Sequence, residues 1–118
     1  MPVQTFKTLD LNNVPLLVSD KRTNLKAIFV HNRSRVMCWV KLWDAASVGA
    51  VNIGVTPSKM TLSASSSLLA NGTEFSTIYY LQDLVFNNGV VIAGTSGPMD
   101  DSVGGFTFSQ IISNVIFE

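Results

Sequence analysis

Charge is the scarcest commodity in this chain. Asp, Glu, Lys and Arg make up 14% of its 118 residues, against 47% apolar residues, where roughly 25% charged is usual for a soluble domain. A domain this small has much surface to cover. So little charge implies either an unusual core fraction or an outer surface buried against partners, and the second is the expectation here. Cysteine occurs once, as Cys38, and histidine once, as His31. A single cysteine excludes an internal disulfide framework and a cysteine ligand cluster. Cys38 falls within a strand-like stretch and reads as an inert buried thiol. His31 falls at a strand end beside a turn, with no Gly-x-Ser-x-Gly anywhere in the chain. A hydrolytic triad is therefore not expected, and the chain does not read as an enzyme.

Long apolar runs are missing too. Nothing approaches the ~18 residues of a membrane span, and the N-terminus has no basic-then-apolar signal pattern. The chain reads as made in the cytoplasm, with Asn32-Arg33-Ser34 and Asn71-Gly72-Thr73 as turns rather than glycosylation sites. There is no basic run and no aromatic ladder beside the arginines, so nucleic acid is not an expected partner. Asp100-Asp101 is the one pair of adjacent carboxylates. Neighbouring side chains tend to point apart and the spacing of a calcium loop is absent, so no metal is expected. The glycines at 94, 97, 104 and 105 lack the strand-to-helix context of a phosphate cradle, and no cofactor is expected.

What is present is β-structure. The stretch 36–44, Val-Met-Cys-Trp-Val-Lys-Leu-Trp-Asp, reads as a central strand covered on both faces. Met37, Trp39, Lys41 and Trp43 would share one face, and Val36, Cys38, Val40, Leu42 and Asp44 the other. The two tryptophans are either core or interface, or a sugar-stacking platform if exposed. Before this stretch, 14–19 reads as a strand that Pro15 confines to a start or an edge, and 25–31 as another. Asn32 to Arg35 then reads as a hairpin into the central strand. After it, 51–55 reads as a short strand, 60–64 alternates, and 75–86 is rich in β-formers. Asn87-Asn88-Gly89 is the strongest turn signal, read as a hairpin turn into 90–93. Residues 94–105 read as loop. The tail 106–117 fits either a helix stripe or a strand, and its β-branched residues favour the strand. The sum is an all-β domain of eight or nine short strands, a sandwich or barrel, here taken as a jelly-roll-like antiparallel sandwich over 14–118.

Residues 1–13 are left open as an arm or an edge strand. As an arm they would add a strand to a neighbour, with Val3, Phe6 and Leu9 as contact residues. Arg33 and Arg35, beside the central strand, are further interface candidates. The charges divide by halves. Residues 1–41 hold seven basic residues against Asp10 and Asp20, and 42–118 hold Lys59 against six acidic residues. Either the topology interleaves the halves, or two patches of opposite sign steer self-assembly.

Two stretches carry a resemblance. One is Val40-Lys41-Leu42-Trp43-Asp44-Ala45-Ala46 followed by Val51-Asn52-Ile53-Gly54-Val55-Thr56-Pro57. The other is 84–95, Leu-Val-Phe-Asn-Asn-Gly-Val-Val-Ile-Ala-Gly-Thr, followed by Asp100-Asp101-Ser102. Across about residues 24–118 the chain resembles small virion proteins of tailed bacteriophages, capsid cement (decoration) proteins in particular. It departs from their pattern at Trp43, where a tyrosine is usual, and in the serine stretch at 63–67. The resemblance implies a β-sandwich on the outside of a phage capsid, bound to the major capsid protein and to itself as a homotrimer. A tail- or fibre-associated glycan-recognition module is the alternative it leaves.

Overall fold

Two four-stranded antiparallel sheets pack face to face in the computed structural model, which describes residues 2–34, 37–66, 76–104 and 111–118. The strands are β1 (Gln4–Thr8), β2 (Leu16–Ser19), β3 (Thr23–Asn32), β4 (Cys38–Asp44), β5 (Met60–Ala64), β6 (Thr77–Phe86), β7 (Val90–Thr95) and β8 (Ile111–Phe117). One sheet runs β1-β8-β3-β6 and the other β2-β7-β4-β5. β1 pairs with β8, β2 with β7, β3 with β6 and β4 with β5. The chain is thus one long hairpin, closed at the 45–59 connection. Rolling it up adds the β3–β8 and β4–β7 pairs. This is jelly-roll order, the antiparallel sandwich expected from the turn spacing.

The core follows strand alternation. Leu25, Ile28 and Val30 of β3, Val115 and Phe117 of β8, and Phe86 of β6 meet Cys38, Val40 and Leu42 of β4 and Val90 and Ile92 of β7. The tail is a strand, with Ile111, Ser113, Val115 and Phe117 buried at period two. Residues 106–110, also expected in that strand, lie outside the described residues, as does Val36.

Three local expectations fail. The turns after β3 and after β6 are not hairpins, because each carries the chain from one sheet to the other. Asn-Gly chemistry reverses the chain but does not choose the strand's neighbour. Here β7 is already paired on both sides, by β2 and β4. Residues 51–55 form no strand either. Val55 and Thr56 both donate their N–H to the Asn52 carbonyl, and Gly54 turns the chain at φ +89°. A 3-10 turn at Val48–Ala50 precedes them.

Residues 4–8 are an edge strand of the chain's own sheet, in register with β8 from Gln4↔Phe117 to Thr8↔Ser113. Leu11 is fully buried just beyond, and its N–H bonds to the Ile111 carbonyl. The topology also mixes the charges of the two halves: Lys26 pairs with Asp83 and, at 3.7 Å, with Glu118.

Candidate interaction surfaces

Alternation places Lys41 and Trp43 on the outer side of the β2-β7-β4-β5 sheet, and both are buried there. Their cover is the chain itself. Trp43 packs with Ala45, Val51, Val91, Ala93 and Ile53, and its indole N–H donates to the Thr56 carbonyl at 2.9 Å. The Lys41 ammonium donates to the Met99 carbonyl. Burial lowers the Lys41 pKa, against the opposing pull of Asp100 and Asp101. Segments 45–59 and 96–104 therefore form a third layer over this sheet. They interlock at Gly54, where a Cβ would come within 2.3 Å of the Val103 side chain. Asp100 ties the layer further by accepting the Ser58 N–H at 3.1 Å.

The two tryptophans thus differ. Trp43 is 3% exposed and has no ring face to offer a sugar, while Trp39 is half-buried. A cleft of about 570 Å³ lies beside Trp43, Asp44, Lys59 and Asn88. Its carboxylate, Asp44, and its indole N–H, Trp43, are already engaged in structure. Asp44 accepts the Asn87 and Asn88 backbone N–H groups at 3.0 and 2.8 Å. Gly89 follows, where a Cβ would lie 2.5 Å from the Ala45 and Ser19 carbonyls. The two stretches that carry the sequence resemblance are neighbours in space, since β4 and β7 pair from Trp39↔Thr95 to Asp44↔Val90.

His31 lies on the outer side of the other sheet, where its Nδ1 meets the Ser76 hydroxyl at 2.7 Å in an exposed pair. Cys38 is buried, and burial raises its pKa against the hydrogen bonds of Ser34 and Asn32, so the thiol stays protonated. No cluster of three His, Cys, Asp or Glu residues suited to a metal occurs among the described residues.

Among the described residues, two apolar surfaces stand open. On the loop layer, Val55, Met99 and Val103 are 59–70% exposed. Nearby, the Asn13 amide donates to the Val103 carbonyl, beside the exposed Val14. On the opposite side, the outer face of the β1-β8-β3-β6 sheet carries rows set by its register. These are Thr5–Ile116–Ala27–Tyr80, Lys7–Asn114–Phe29–Ile78 and Ile112–His31. Tyr80 is 77% and Ile78 48% exposed. No segment of the described chain is hydrogen-bonded across this face.

Of the interface candidates, Val3 and Leu9 are exposed and flank β1. Phe6 packs against the chain's own core and is committed there. Arg33 is exposed, and Arg35 lies outside the described residues. The Tyr80 and Ile78 surface is not evident from the sequence alone. Alternation in 77–80 gives the signal, but only the sheet order says which side is open.

No protein-family model matches this chain, and no curated protein matches it.

Proposed function

We propose that this chain is a non-enzymatic virion protein, a cement protein on the outside of a tailed-phage capsid that strengthens joints between major capsid proteins. One observation carries the reading: a small jelly-roll with two apolar surfaces on opposite sides, whose cleft carboxylate Asp44 and Trp43 indole N–H are spent on structure. A cement must hold at least two neighbours at once, and an opposed pair of sticky faces on a rigid sandwich meets that need. Many copies on a repeating shell turn modest contacts into avidity. The sequence resemblance supplies the phage context, and its two stretches form the paired β4 and β7. The buried Trp43 weighs against a glycan platform there.

The test is addition of the purified chain to phage heads that lack it. Saturable binding to heads, with raised resistance to heat-induced rupture, is expected. Binding to tails but not to heads would sink the reading.

A further inference from the structure

The two outer faces of the sandwich differ in cover and in charge, and the difference identifies a partner. We propose that the outer face of the β1-β8-β3-β6 sheet docks on the same face of a second copy of this chain, as a two-fold pair. The inference rests on reading the chain as an interaction protein and names the occupant of one of its two faces.

The middle of this face bears no ionised side chain. Its rows offer Ile116, Ala27 and Tyr80, then Asn114, Phe29 and Ile78. Charge is confined to the rim. Lys7 stands at the β1 edge, and at the far end Lys26 is already neutralised by Asp83 and Glu118. Within the four strands and the terminal Glu118, Lys7 and Lys26 balance Asp83 and Glu118. Such a face has no handle for a strongly charged partner and meets a copy of itself without repulsion. The loop face is the opposite case. Asp100 and Asp101 are exposed there, the nearby Lys41 is buried and committed to Met99, and the exposed Lys59 of the same layer lies over the Phe86 ring, so the acidic pair outnumbers the one exposed lysine. Two loop faces brought together would oppose like charges, so that side suits a different chain.

Geometry favours face-on over edge-on pairing. β6, the edge strand that carries Tyr80 and Ile78, bulges where Gln82 and Asp83 adopt φ of 49° and 62°. A bulge twists an edge away from strand addition. The Cα extents of 42 × 31 × 19 Å leave broad faces, with room for the ~800 Å² per partner of a standard interface. An isologous contact closes at two copies, whereas a ring of three needs two different surfaces. The pair therefore departs from the trimer that the sequence resemblance implies.

Sedimentation equilibrium of the full chain, from low micromolar to near-millimolar concentration, tests the proposal. The wild type should reach twice the chain mass and no more. Tyr80→Glu should raise the dissociation constant at least ~30-fold, because it replaces an aromatic anchor with a carboxylate that the pair would bury unpaired. Its melting temperature should hold, because Tyr80 is 77% exposed. Val55→Glu, on the loop face, should leave the pair intact. If Tyr80→Glu fails to fold, Tyr80→Ser is read in the same way. A wild type that stays monomeric, one that reaches three times the chain mass, or a folded Tyr80 variant that pairs as tightly as the wild type would each overturn the proposal. No phage head enters the experiment, so its failure leaves the capsid reading standing, and failure to bind heads leaves the pair standing.

Discussion

The Asp44 carboxylate accepts the backbone N–H of Asn88 at 2.8 Å, tying the end of β4 to the turn that launches β7. It accepts the N–H of Asn87 as well, at 3.0 Å. Burial works against the charge, but the N–H groups of Asn88, Asn87 and Gly89 and the nearby Lys59 outweigh it and hold the Asp44 pKa below its ordinary value. Asp44→Asn should cost about 1–2 kcal/mol at neutral pH, the scale of a partly exposed hydrogen bond to a charged group. A depressed carboxylate pKa contributes stability above the unfolded value near ~4, and that stability is lost as pH falls through the folded value. Chemical denaturation from pH 7 downward should therefore show the wild type and Asp44→Asn converging in acid.

Lys41 is a buried ammonium whose pKa burial lowers. The folded state then binds fewer protons than the unfolded state as pH approaches the ordinary lysine value, so this group makes stability rise with pH in that range. Lys41→Met should abolish that rise and leave the melting temperature at pH 7 unchanged or higher, since an apolar side chain of similar length avoids the desolvation cost. It should also release the 96–104 segment from its anchor at Met99. Hydrogen exchange should become faster in that segment and not in β4.

Trp43 and Trp39 should separate in stability. Trp43 is enclosed and hydrogen-bonded to Thr56, so Trp43→Ala should cost about 3–5 kcal/mol. Trp39 is half-buried, and Trp39→Ala should cost about half as much. Thermal melts of the two variants check the order.

Deleting residues 2–12 should lower the melting temperature sharply. The deletion removes β1 from its pairing with β8 and takes away Leu11, whose loss alone is of the size of a core Leu→Ala change, about 2–5 kcal/mol. A detachable arm would leave the melting temperature unchanged.

Much of this fold is legible in the strands themselves. The alternation in 60–64 and 111–117 and the covered run at 38–44 recur as β5, β8 and β4. What the sequence does not carry is which strand lies beside which. Asn87-Asn88-Gly89 marks a reversal, yet the same chemistry serves a hairpin and a sheet-to-sheet crossing. Lys41 and Trp43 alternate correctly to one face, but nothing local says that segments 45–59 and 96–104 will lie over them. The same limit hides the open surface of Tyr80 and Ile78, whose exposure depends on no described segment folding back over β6. For residues 1–13, buried Leu11 decides for the edge strand, and a single leucine among polar neighbours is a weak signal.

We propose that this chain sits on the capsid, and the decisive experiment is electron microscopy of virions carrying a label on the protein. Label is expected on the outer surface of the head at a regular repeat, with the loop layer of Val55, Met99 and Val103 toward the shell. Label confined to the tail or its fibres, or absent from the virion, would contradict it.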